Sequence, residues 1–278
     1  MTPMPEDEFD VPYGDLPTFG RIRLSQNHIV VVNAEARFVR ESPGLSEAEA
    51  KKIWKKLGID AYPYFEKTEQ NNVSLVLTPE GTKESKQVVT GWVISDAEKS
   101  VSIILMPTLV NMQVLKYVGF TESLAIPFNT AIAAYAAATK SSIIQRIGLR
   151  YVNRLADFKA VEPAFWAPSM REGFAGPIGS ELSRFITGSH QEVQMKLSDS
   201  ASAIVHSGVF KDTVTGGAYS FLVDIDVFNE HTLDYSPSMF EKIVRKLNRT
   251  AYAVFDQMLT PEYIQQLGVE AREEGVNK

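Results

Sequence analysis

The stretch Gln145-Arg146-Ile147-Gly148-Leu149-Arg150-Tyr151-Val152-Asn153-Arg154 decides how this chain reads. Apolar side chains recur at every second position, at Ile147, Leu149 and Tyr151, which is the period of a strand with one face in a core. The same period throws Arg146, Arg150 and Arg154 onto the opposite face, roughly 13 Å apart at four-residue spacing. Gly148 leaves a gap in that row. A similar strand lies far upstream, over 27 to 40: Val30, Val32, Ala34, Ala36 and Phe38 share one face, while Asn33, Glu35 and Arg37 lie on the other.

Working outward from these two strands, the elements repeat. After the first, Ser46 with Glu49 three residues on forms a capping box, and Ala50, Ile53, Trp54 and Leu57 give a short amphipathic helix that Gly58 ends. Strands are expected over 73 to 77, over 87 to 95 and along 101 to 118 with a bend near Pro107, then a helix from Thr121 to about Lys140. After the second come an irregular excursion over 157 to 189, strands over 191 to 197, 203 to 211 and 219 to 229, and a long helix. Ser236 caps that helix and Pro237 opens it.

The expected fold is therefore α+β with two similar halves, 18 to 140 and 141 to 268. Each half reads strand, helix, three antiparallel strands and long helix, with sheets covered by helices on one face and joined edge to edge through their first strands. An acidic, Pro-rich disordered tail over 1 to 17 and a C-terminal tail over 269 to 278 fall outside it.

Composition narrows the chemistry. The 278 residues carry 28 Lys and Arg against 34 Asp and Glu, a net charge of −6. Residues 1 to 17 hold Glu6, Asp7, Glu8, Asp10 and Asp15 and no basic residue, so most of the excess sits in that tail and the body is nearly neutral. A broad basic footprint for nucleic acid is disfavoured, although the arginine row leaves a local strip. The absence of cysteine excludes disulfides, zinc ribbons, thiol catalysis and iron–sulfur clusters. No run approaches the ~18 apolar residues of a membrane span, and the N-terminus lacks the pattern of a secretory signal, so a soluble cytoplasmic protein is expected. Removing residues 1 to 17 is expected to leave stability intact.

Binding residues are sought along the arginine row. Arg146, Arg150 and Arg154 could grip carboxylate or phosphate as an open strip, or could pair with Asp224 and Asp226, which share one face of the strand over 219 to 229. Asn153 joins these candidates, as does Trp166 from the excursion, where Phe165, Phe174 and Phe185 could line a groove with it. Asp224 and Asp226 also read as a carboxylate pair for metal or acid–base work, but no further ligand spacing accompanies them. The glycine-rich stretch over 173 to 180 lacks the Lys-Ser/Thr of a phosphate loop, and His28, His190, His206 and His231 have no triad or metal spacing. The Ala-rich helix over 131 to 138 would permit close approach of a second copy.

The segment Arg146-Ile147-Gly148-Leu149-Arg150-Tyr151-Val152-Asn153, with Leu222-Val223-Asp224-Ile225-Asp226 and Thr260-Pro261-Glu262 downstream, resembles a family of sporadically distributed bacterial proteins with a central RIGLRYxN motif. The resemblance implies no activity, no cofactor and no catalytic residue, and its patchy distribution implies an accessory role such as phage defence or a toxin–antitoxin locus. The expected function is a non-enzymatic protein that binds a macromolecular partner, most simply another protein, or a second copy of this chain. It needs no cofactor, metal or membrane. A nucleotide or anion sensor or enzyme with its site between the halves, and an antitoxin or chaperone-like protein with an exposed groove, are the alternatives.

Overall fold

The computed structural model describes residues 11–17, 21–25, 28–40, 42, 44–78 and 81–273. In chain order the elements are β1 (Arg21–Leu24), β2 (Ile29–Phe38), α1 (Glu47–Leu57), β3 (Tyr64–Thr78), β4 (Gly81–Ser95), β5 (Val101–Leu105), β6 (Leu109–Val114), α2 (Ile126–Thr139) and β7 (Ile143–Ala156). Three 3-10 turns follow, at Pro163–Ser169, Gly176–Gly179 and Glu181–Phe185. The chain then forms β8 (Gln191–Lys196), β9 (Ala201–Lys211), β10 (Tyr219–Asn229), β11 (Leu233–Asp234), α3 (Pro237–Met258), α4 (Pro261–Gln266) and β12 (Val269–Glu273). The architecture is α+β, built on one large antiparallel sheet.

That sheet has ten strands in the order β3-β4-β5-β6-β2-β7-β10-β9-β8, with β11 added to β7. Its centre is the antiparallel pair β2 and β7, which sets Asn33 opposite Arg150 and Glu35 opposite Gly148. The two first strands thus join edge to edge, and the expected pair of sheets is one continuous sheet. Along 101 to 118 the chain does not bend gently. Pro107, with no backbone donor and a fixed φ, falls in a tight turn where the Met106 N–H donates to Leu109 O at 2.8 Å, and the run splits into the hairpin β5–β6. The strands expected over 73 to 77 and 87 to 95 are parts of a longer hairpin, β3–β4, with fifteen residues in each arm. The polar run from Glu69 to Asn72 hid it from the apolar period.

The halves also differ in cover. In the first, α1 is held by the expected capping box of Ser46 and Glu49. It brings Trp54 onto Phe65, which stacks in turn on Trp92. The helix expected from Thr121 begins as a π-helical turn, Thr121–Ala125, with no side-chain cap, and continues as α2, whose Tyr135 ring meets Phe38. In the second half α3 is capped by the Ser236 hydroxyl, which accepts from Met239 N, and packs along β7 and β10. No helix equivalent to α1 follows β7; the three 3-10 turns stand there and bury Trp166, Met170 and Ile178.

Both tails need correction where they are described. Tyr13 is buried in the core cluster, donates its N–H to Thr250 Oγ1 at 2.9 Å and accepts from Asn229 Nδ2 at 3.2 Å through its hydroxyl. The Lys246 ammonium lies 4.7 Å from its ring centroid. Tyr13, with Pro12 buried beside it and Leu16 packed against the same core, docks residues 11–17, and residues 1–10 lie outside the described ones. At the other end β12 pairs with β1, so residues 269–273 form part of a two-stranded sheet. Among the described residues no helix is long and apolar enough to cross a membrane.

Candidate functional site on the uncovered sheet face

Helices α1, α2 and α3 lie on one face of the sheet. Val32, Ala34, Ala36 and Phe38 of β2, Ile147, Leu149 and Tyr151 of β7, and Val223, Ile225 and Val227 of β10 all bury against them. The alternate residues of the same strands form the opposite face, which none of these three helices covers. Register places them in transverse rows: Asp226, Arg150, Asn33, Gln113 and Ser102 in one, and Phe228, Gly148, Glu35, Asn111 and Ile104 in the next. With strands about 4.8 Å apart, this face measures roughly 40 Å across its nine principal strands.

Charge on it is organised in pairs. Arg37 and Arg146 stand directly opposite each other, an unfavourable placement for like charges. Glu35 resolves it, accepting from Arg37 Nε and from Arg146 Nη1 at 2.7 Å each. Arg146 also reaches Asp226 at 3.4 Å and Glu230 at 3.7 Å, and its guanidinium lies 4.4 Å from the Phe228 ring centroid. The gap at Gly148 has a use here: a Cβ on it would stand 2.9 Å from Arg146 Nη1, in the space that guanidinium crosses.

Arg150 forms a two-pronged fork on Asp224, with Nε to Oδ1 at 2.8 Å and Nη2 to Oδ2 at 2.5 Å. This pairing raises the guanidinium pKa. The fork is asymmetric in exposure, since the Arg150 side chain is 47% exposed and that of Asp224 only 6%. Beside it His206 Nε2 lies 3.0 Å from Glu192, its Nδ1 lies 3.9 Å from Asp224, and the His190 ring stacks on it. Arg154 Nε stands 3.7 Å from the buried Asp212, which accepts from the Ser220 hydroxyl. Burial pushes the Asp226 carboxyl above its ordinary value, against the pull of Arg146 and Arg150.

Five of the seven residues singled out from the sequence, Arg146, Arg150, Arg154, Asp224 and Asp226, therefore meet on this face. Two do not. Asn153 has the parity of Tyr151, so it is buried on the helix-covered face, where its amide donates to the backbone oxygens of Val223 and Tyr151. Trp166 is buried too, with its indole N–H donated to Tyr219 O. The arginines are the paired ladder, with acids on the neighbouring strands, rather than an open strip. Glu35, the acid shared by two arginines, was not among the candidates, nor were the amides Asn111 and Gln113; the alternation Val110-Asn111-Met112-Gln113-Val114 is the signal that marks them. Among the described residues no group of three or more His, Asp or Glu is placed to hold a metal ion.

No family model matches the chain, and no curated protein matches it. Among solved structures, the Pct1 RNA triphosphatase of S. pombe aligns over 87% of this chain and 81% of its own at 6% identity, with a TM-score of 0.10. A likeness at that level carries no argument about fold or activity.

Proposed function

We propose that this chain is a non-enzymatic binding protein that engages a protein partner through the uncovered face of its sheet. The observation that carries the reading is a face of roughly 40 Å across the nine principal strands, centred on β2 and β7. There Val31, Val152, Ile104, Ile204 and Leu222, all part-exposed, alternate with amides and with charges already paired. Apolar contact area mixed with satisfied polar groups is the surface a protein partner recognises. Phosphate would find the arginines engaged and Glu35, Asp224, Asp226 and Glu192 beside them, so nucleic acid is the poorer fit. An anion sensor would need Arg150 to leave Asp224. The order of the sheet, running outward on both sides from β2 and β7, is what an internal duplication would leave. The resemblance to patchily distributed bacterial proteins is the ground for seeking the partner in the same genetic locus.

The test is co-purification of tagged chain with its partner, comparing Gln113→Arg with Ile104→Glu on the uncovered face against Ala133→Arg on the outer side of α2. The reading expects one stoichiometric partner, lost in the first two variants and retained in the third, with all three melting like the parent. Retention in the first two variants would overturn it.

A further inference from the structure

A cleft of about 360 Å³ lies between the end of β7, the turn Pro163–Ser169 and α4. Its size suits a small molecule or one side chain. Three aromatic rings line it: Phe165 and Trp166 meet edge to face at 5.3 Å and 80°, and Trp166 and Tyr263 at 6.1 Å and 84°. The planes of neighbouring rings are nearly perpendicular; Phe165, 36% exposed, and the half-buried Tyr263 form the accessible aromatic wall, and the buried Trp166 holds both in place. Asp157 and Glu262 also line the cleft, and no Lys or Arg does. Asp157 accepts from the Lys159 backbone N–H at 2.8 Å, which fixes the carboxylate in place.

From this juxtaposition we infer that the cleft binds an organic ammonium ion, either a free small amine or a lysine side chain. The electron-rich faces of aromatic rings attract a cation within about 6 Å of the centroid. Asp157 and Glu262, in a lining without Lys or Arg, supply the net charge, and the same two groups repel nucleotides, sulfate and other anions. Burial, with Asp157 nearby, holds the Tyr263 phenol up to about 12, so that wall remains a neutral ring through the physiological range.

Titration of the full chain with choline chloride, with Nα-acetyl-lysine methylamide and with 3,3-dimethylbutan-1-ol tests this by tryptophan fluorescence at matched ionic strength. Saturable binding of choline or of the lysine derivative is expected, weakened at least tenfold in Asp157→Asn/Glu262→Gln and in Phe165→Ala, both melting like the parent. Binding of choline alone points to a free amine, and binding of the lysine derivative to a side chain. Equal binding of the neutral alcohol, no saturable response to either cation, or undiminished affinity in the double variant would each overturn the inference.

Discussion

Leu149 and Arg150 are neighbours on β7 and occupy opposite surroundings. Leu149 is fully buried beneath the helices, with Ala34 of β2 and Val227 of β10 opposite it. Arg150, one residue on, lies between Asn33 and Asp226 on the uncovered face with nearly half its side chain in water. One face holds the sheet through apolar burial and the other tiles it with ion pairs. Stability should therefore depend more steeply on the first face than on the second.

The largest effect belongs to the covered face. Leu149→Ala should cost about 2–5 kcal/mol in denaturant unfolding, the range for large-to-small changes in a closed core. A loss under about 1 kcal/mol would mean that the sheet does not rely on that face. Next comes Tyr13, which extends the covered face with a segment remote in sequence. Its removal, as Tyr13→Ala or by deleting residues 1 to 17, should cost about 2–3 kcal/mol from lost burial and an orphaned Asn229 partner. This is the opposite of what composition led one to expect, and unchanged melting of the deletion would restore the simpler view.

On the uncovered face both arginines hold acids that are largely out of water. Arg146→Met should cost about 1–3 kcal/mol, because Glu35 and Asp226, 19% and 27% exposed, lose a donor. Arg150→Met should cost a similar amount although its own side chain is nearly half exposed, because it leaves the Asp224 carboxylate, 6% exposed, without its fork. A loss under about 0.5 kcal/mol in denaturant unfolding at either site would show that the acid is satisfied elsewhere.

The smallest effect is in pH. The carboxyl of Asp226 is raised above its ordinary value of 3.8 by burial. Such a group contributes stability that is full below the ordinary carboxylate range and is lost as pH rises through its raised value. Asp226→Asn should therefore compare best with the parent near pH 7 and lose ground as the solution is acidified. A difference that does not change with pH would remove burial as the dominant influence on Asp226.

Which parts could be read from sequence follows from where period and burial coincide. β2, β7, β10 and α3 carry clean apolar alternation or helical spacing, with Ser46 and Ser236 marking the helix starts, and these elements stand where expected. Alternation also gave the sides of Arg146, Arg150, Asp224 and Asp226 correctly. Asn153 obeys the same alternation, and its parity with Tyr151 already placed it inside. What failed to show depends on contacts between distant residues: the docking of Tyr13 under Thr250, the pairing of β12 with β1, and the role of Glu35 between two arginines. The polar middle of β3 and the splitting of 101 to 118 at Pro107 show the other limit. Hydrogen-bond pairing can build a strand without an apolar pattern, and a turn can interrupt one that has it.

The central claim is that the uncovered face, and not the helical side, meets the partner. Photo-crosslinking in cells tests it directly, with benzoylphenylalanine placed singly at Asn33, Gln113 or Ile204 on that face and at Ala133 or Lys242 on the helices. The account predicts one discrete adduct of common mass from the three sheet positions and none from the helical pair. Adducts from Ala133 or Lys242, with none from the sheet, would contradict it.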